Sequence, residues 1–159
     1  MEFELRSIEK RDNVGLAEII RTSLEQLDCA LDGTVYTDPK TDRMSECYQS
    51  EDAGYWIAEV DGKMVGGSGI GKVAGEKGVC ELQRMFLTKE SRGKGIGLAL
   101  MNKCLEFAEI AGYKTVYLET FPKMLEARKL YERSGFKYID HAIGNTGHFS
   151  CNVFMVMDL

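Results

Sequence analysis

The sequence lacks the features that define membrane, secreted and disordered proteins. Only 2 of its 159 residues are proline, and no apolar run approaches the roughly 18 residues that a membrane-spanning helix needs. The first residues hold neither the basic nor the apolar region of a secretory signal, so we expect a cytoplasmic protein with no membrane partner. The 5 cysteines are odd in number, widely spaced and free of any CxxC pair. We therefore expect neither a disulfide framework nor a metal site.

Basic charge is also scarce, because the net charge is −5. Nucleic acids bind clustered Lys and Arg side chains, so this balance argues against nucleic acid as a partner. Residues 28–52, called the acidic segment below, hold seven carboxylates and two basic side chains, whereas residues 84–103 hold five basic side chains and one acidic. The two segments could bind a cationic and an anionic ligand together, or both could be ordinary solvated surfaces.

What is present is the patterning of one mixed α/β domain over residues 1–159, with 44% hydrophobic residues. Hydrophobic periodicity predicts the element order β α (α) β β β α β α β β. The predicted elements include a first strand over 3–8, a hairpin around Asp61-Gly62, strands over 79–87 and 115–120, and a helix over 96–111 that Gly112 ends. We expect Asp12 to cap the first helix, and Pro122 and Gly135 to open and end the last one.

A glycine-rich loop lies between a predicted strand and a predicted helix. Gly93, Gly95 and Gly97 would present backbone N–H groups at a helix N-terminus, which favours phosphate, and Arg92 and Lys94 add positive charge. A second copy of the pattern, Gly67-Ser68-Gly69-Ile70-Gly71, lies within a predicted strand that no helix follows. For that copy we expect a close backbone approach or a bulge.

Two established nucleotide-binding patterns fail on this loop. The dinucleotide pattern GxGxxG needs glycine where Leu98 stands, and antiparallel strands precede the loop instead of a parallel βαβ unit. The phosphate-binding pattern GxxxxGK[ST], the zinc-protease pattern HExxH and the nucleophile elbow are absent from the sequence.

The loop resembles that of the GNAT superfamily of acyl-CoA-dependent N-acetyltransferases. Arg92-Gly93-Lys94-Gly95-Ile96-Gly97 is similar to the family's (Q/R)-x-x-G-x-(G/A) motif, and Ala127-x-x-Leu130-Tyr131-x-x-x-Gly135-Phe136 is similar to its downstream helix-to-strand motif. One departure is Met124, where many relatives carry an Asn that contacts the cofactor. Over nearly the whole chain, the resemblance implies an acyl-CoA N-acyltransferase fold: a twisted, mostly antiparallel sheet of six to seven strands with one splayed parallel pair, flanked by about four helices.

The resemblance also implies roles for individual residues. Glu81 would be the general base, with Glu119 and His148 as alternatives, and Tyr131 would be the general acid. Without the resemblance, Glu81 could be an exposed strand residue and Tyr131 a core aromatic. A backbone N–H around Met85 would bind the oxyanion. The expected cofactor contacts are Met85, Phe86, Leu87, Arg92, Gly93, Lys94, Gly95, Ile96 and Gly97.

These expectations combine into one function and one alternative. We expect acetyl transfer from acetyl-CoA to a primary amine of a small cationic or peptide acceptor, with residues 29–52 capping the acceptor site and no metal required. The acidic segment favours a cationic acceptor, because negative charge raises the local concentration of cations. A homodimer is compatible with this function. The alternative is a regulatory module that binds acyl-CoA without turnover. The presence of Met124 in place of the Asn of many relatives favours this alternative.

Overall fold

A computed structural model describes residues 2–159 and contains a seven-stranded mixed sheet. The strands lie in the order β1-β2-β3-β4-β5-β7-β6. They span Glu4–Ser7 (β1), Gly54–Val60 (β2), Lys63–Lys72 (β3), Val79–Leu87 (β4), Thr115–Thr120 (β5), Lys137–Ile139 (β6) and Val153–Asp158 (β7). Neighbouring strands are antiparallel except β4 and β5. The predicted fold class is confirmed.

Helices cover both faces of this sheet. They are α1 (Asn13–Gln26), α2 (Ile96–Ile110), α3 (Leu125–Ser134) and a kinked 3₁₀ helix (Pro39–Tyr48). Successive side chains of a strand point to opposite faces, and in β2 Tyr55 packs with α1 whereas Trp56 packs with α2. Two separate hydrophobic cores result. No helix within residues 2–159 is both long and apolar enough to traverse a lipid bilayer.

Two predicted helix starts differ from the structure. Asp12 precedes α1 but does not cap it, because its carboxylate accepts the Glu9 backbone N–H and the Arg6 guanidinium, each at 2.8 Å. Pro122 lies three residues before α3, which begins at Leu125. Asp12 therefore lies directly before α1 without making a capping hydrogen bond, whereas a turn separates Pro122 from α3.

The glycines of β3 make room for aromatic rings. A Cβ atom on Gly67 would lie 2.5 Å from the Tyr55 ring, and one on Gly69 would lie 2.5 Å from that ring and 2.6 Å from the Gly54 carbonyl oxygen. The register between β3 and β4 also shifts between Gly67 and Gly69. Both the close approach and the bulge expected for the second glycine pattern are therefore present.

The parallel pair at the centre of the sheet is joined only at its beginning. Val79, Cys80 and Glu81 of β4 pair with 115–117 of β5, and the pairing ends there. Beyond Glu81 the two strands are no longer paired neighbours, which is the splayed pair that the family resemblance implies. The opening between them holds the candidate site.

Candidate functional site

A cavity lies where β4 and β5 part. Its lining comes from both strands and from α1, α3 and the loops over 29–38 and 140–152; it includes Thr34, Val35, Glu81, Gln83, Arg84, Met85, Phe86, Glu119, Met124, Tyr131, His148 and Cys151. A second cavity lies under the loop over 142–149 and shares Glu119, His148 and Cys151 with the first. The structure thus brings together Glu81, Tyr131 and both alternative bases.

Glu81 is buried in this cavity, and it is not an exposed strand residue. Its side chain is 7% exposed, and its Oε1 accepts a hydrogen bond of 2.7 Å from Gln83 Nε2. Burial raises the pKa of Glu81 from 4.5 to about 7, and the charge of Glu119 adds to the rise, whereas the Gln83 hydrogen bond opposes it. A carboxyl group with this pKa exchanges a proton readily near neutral pH.

Glu119 lies across the opening, at the end of β5. One of its oxygens accepts from the Tyr117 hydroxyl at 2.7 Å and the other from Thr146 Oγ1 at 2.6 Å. Two donors therefore fix the Glu119 carboxylate, which makes it a well-ordered negative charge in the cavity. Within residues 2–159, no three His, Cys, Asp or Glu side chains are grouped so that they could hold a metal ion.

Arg84 is the buried cation of the site and occupies a bulge in β4. Gln83 pairs with Gly69 and Phe86 pairs with Gly67, so Arg84 and Met85 together oppose the single residue Ser68. Arg84 has φ of 49°, in the left-handed region that side chains other than glycine rarely adopt. The Tyr55 hydroxyl donates to the Arg84 carbonyl oxygen at 2.7 Å and holds this conformation.

The Arg84 guanidinium is only partly paired. Its Nη2 donates to Asp38 Oδ2 at 3.0 Å, and the same oxygen lies 2.8 Å from Nε2 of His148. Burial by itself would raise the pKa of Asp38, but the His148 hydrogen bond and the Arg84 charge hold it below the usual value. Arg84 Nε is buried and has no hydrogen-bond partner among the residues that the structure describes.

Tyr131 reaches the cavity from α3. Its side chain is 7% exposed, and its ring packs edge-on against Phe136 at a centroid distance of 6.0 Å. Burial raises the pKa of Tyr131, so its hydroxyl stays protonated at neutral pH. Met124 precedes α3, lines the same cavity, and accepts a hydrogen bond on Sδ from Thr120 at 3.3 Å.

The glycine-rich loop has the geometry that its sequence predicts. Gly93 and Gly95 have φ of 73° and 86°, and Gly95 directly precedes α2. The first backbone N–H groups of α2 are therefore available to an anion. Arg92 ties this loop to β4, since its Nε donates to the Leu87 carbonyl oxygen at 3.1 Å.

Sequence patterns did not identify several polar side chains of the site, among them Asp38, Gln83, Arg84 and Thr146. One of them left a signal in the sequence. The apolar residues of β4 keep an alternating pattern through Cys80 and Leu82 and then resume at Met85 and Leu87, one residue out of phase. That shift of phase indicates that one residue is inserted in the strand, and the inserted residue is Arg84.

The comparisons with known proteins agree with this architecture. The profile of the Acetyltransferase (GNAT) family matches residues 21–136. The uncharacterized N-acetyltransferase YjgM of Escherichia coli (strain K12) is 38% identical over 157 residues, which are 98% of this chain and 94% of that protein. An N-acetylaspartate synthetase of Xenopus tropicalis is 39% identical over 121 residues, which are 73% of this chain and 41% of that protein.

A solved structure shares the fold as well. The PaiA N-acetyltransferase from Thermoplasma acidophilum, determined in complex with coenzyme A, superposes with a TM-score of 0.80 and 20% identity over 100% of both chains. The sequence motifs, the splayed pair β4 and β5, and the family match over residues 21–136 lead to one assignment. The chain belongs to the acetyltransferase (GNAT) family.

Proposed function

We propose that this chain transfers the acetyl group of acetyl-CoA directly to a primary amine. The observation that carries the proposal is a buried carboxyl group, Glu81 with a pKa of about 7, in one cavity with the buried hydroxyl of Tyr131. The coenzyme A bound by the PaiA protein supports acetyl-CoA as the donor.

The donor would lie along the free edge of β4 and end at the glycine-rich loop. The N-terminus of α2, with Gly95 and Gly97, would hold the pyrophosphate through backbone N–H groups, assisted by Lys94. Residues 85–87 would hydrogen-bond the pantetheine arm as a neighbouring strand would. In the structure, the Leu87 carbonyl oxygen already accepts from Arg92.

Glu81 would make the acceptor nucleophilic. An alkylammonium group with a pKa near ~10.4 must lose a proton before its nitrogen can attack. Glu81 would take this proton directly or through water while the C–N bond to the thioester carbonyl forms. Glu119 and His148 line the same cavity and are the alternative bases.

The tetrahedral intermediate needs a donor for its oxyanion and an acid for its leaving group. A backbone N–H around Met85 would bind the oxyanion, because Arg84 and Met85 lie in the bulge opposite Ser68, where the ladder to β3 is interrupted. As the C–S bond breaks, Tyr131 would donate its proton to the thiolate of CoA.

The proposed reaction requires only that the acceptor present a primary amine, and small cationic amines and peptide amines are the classes expected from the sequence. The acidic segment favours them less strongly than the sequence alone indicates, because four of its carboxylates pair with cations. The pairs are Asp28 with Lys123, Asp38 with Arg84, Asp42 with Arg21 and Glu46 with Arg43. Thr34 and Val35 from this segment line the cavity, which supports a role for residues 29–52 in covering the acceptor.

Release of free CoA is the direct test. Purified protein is mixed with acetyl-CoA and a panel of polyamines, aminoglycosides, amino acids and basic peptides, and free thiol is measured over time. We expect one amine class to release CoA well above the rate of acetyl-CoA hydrolysis. Tight acetyl-CoA binding by calorimetry without release across the panel would favour the regulatory module instead.

A further inference from the structure

Arg84 is a buried charge for which the acetyl-transfer steps above have no use. Its side chain is 6% exposed and lines the same cavity as Glu81. Asp38 pairs with Nη2 alone, and Nε has no partner among the described residues. Burying a guanidinium nitrogen without a hydrogen bond is costly, so native proteins rarely keep one without a purpose.

The protein also holds Arg84 in an unfavourable backbone conformation. A left-handed arginine at a bulge is uncommon, since glycine usually fills such a position. The Tyr55 hydroxyl holds the Arg84 carbonyl, and the Tyr55 ring can lie there only because Gly67 and Gly69 carry no Cβ atom. Strain that the surroundings maintain in this way is concentrated at functional sites.

The charges of the cavity are arranged in two groups. Glu81 and Glu119 form the first group, and the charge of Glu119 raises the pKa of Glu81. Arg84 belongs to the second group and lies three residues beyond Glu81 on β4. His148 is in this group as well, because it contacts Asp38, which pairs with Arg84. A ligand that complements both groups carries a cation and an anion.

We propose that Arg84 binds the α-carboxylate of the acceptor, so that the acceptor is an amino acid whose amine lies at Glu81. This inference rests on the proposed acetyl transfer, because it names the substrate of that same site. Guanidinium and carboxylate match each other with paired N–H donors, and Nε supplies the donor that Asp38 leaves unused. A polyamine would instead place a second cation against Arg84.

Matched acceptors test the proposal without any mutation. The standard L-amino acids are screened with acetyl-CoA, and each active one is compared with its α-carboxamide, which keeps the amine and removes the negative charge. We expect kcat/KM to be roughly ten- to a hundredfold higher for the acid, as for loss of a charge-assisted hydrogen bond. Equal values for acid and amide, or higher values for putrescine, would overturn the proposal.

Variants locate the preference at Arg84. We expect R84Q to lower the ratio of acid to amide toward one, and R84K, which keeps the charge but not the fork of donors, to restore part of it. Arg21→Gln is the matched control, because Arg21 pairs with Asp42 and does not line the cavity; its ratio should equal that of the wild type. A wild-type ratio in R84Q that still binds CoA would assign the preference elsewhere.

Calorimetry separates this proposal from the proposed reaction. Wild-type protein saturated with CoA is titrated with the amino acid and with its amide. Tighter binding of the acid with no release of CoA from acetyl-CoA would keep the role of Arg84 and refute the transfer. Release of CoA with amides as fast as with acids would keep the transfer and refute the role of Arg84.

Discussion

Replacing Glu81 with Gln should change how the stability of the protein depends on pH. Burial raises the pKa of this carboxyl group from 4.5 to about 7, so between these values the folded state holds a proton that the unfolded state releases. Stability therefore falls as pH rises through this window, because the unfolded state binds fewer protons than the folded state. Gln at position 81 cannot ionise, and its oxygen can still accept the hydrogen bond from Gln83.

The size of the effect follows from the pKa. One pKa unit corresponds to about 1.4 kcal/mol, so the rise from 4.5 to about 7 costs the ionised wild type roughly 3 kcal/mol. We expect E81Q to match the wild type near pH 4.5 and to exceed its free energy of unfolding by up to this amount above pH 8. Urea unfolding at a series of pH values measures the difference.

The control is Glu106→Gln, which removes an exposed carboxylate from α2. Because Glu106 is exposed, this variant gives the baseline for replacing a Glu by a Gln. A pH-independent difference in E81Q would mean that Glu81 is not desolvated.

In the active enzyme, E81Q should also lose most of its activity and the rise in rate near pH 7. Unchanged activity would pass the role of base to Glu119 or His148.

Four further substitutions test the site and the packing around it. Tyr131→Phe keeps the packing and should lower kcat by ~10²–10⁴ without changing CoA affinity; wild-type kcat would leave Tyr131 a core aromatic. Gly95→Asp places a negative charge and a strained left-handed residue where the pyrophosphate would bind, so calorimetry should detect no CoA binding. Gly69→Ala should lower the free energy of unfolding by about 1–3 kcal/mol, because the added methyl group clashes with Tyr55. Gly15→Ala meets only the flexible end of Met64 and should stabilise α1 by up to about 1 kcal/mol. Urea unfolding measures both changes.

The sequence predicted those parts of the fold that depend on local signals. The hairpin turn is one, because Asp61 and Gly62 both adopt positive φ, at 51° and 76°. Gly112 and Gly135 end their helices at φ of 90° and 107°. Each of these features is decided by a residue and its immediate neighbours, which is why the order of elements could be predicted.

The unpredicted part of the site depends on contacts between distant residues. Asp38 and His148 are 110 positions apart, and Thr146 and Glu119 are 27 apart. Nothing in either loop indicates its partner, because their polar residues are equally compatible with solvent. Such pairs form only once β5 and β7 bring the loop over 140–152 to the cavity.

One irregularity connects the groups that the proposals use. The bulge at Arg84 and Met85 adds one residue to β4, so Glu81 and Gln83 face α1 before it and Phe86 faces α1 after it, out of the regular alternation. The same insertion interrupts the ladder between β3 and β4 at Arg84 and Met85, and the Arg84 guanidinium lies against Asp38. The acceptor anchor and the oxyanion donor would thus be adjacent residues of one strand, a short distance beyond the base. The strand fixes their backbone positions, and burial and the pairing with Asp38 hold the Arg84 guanidinium in place.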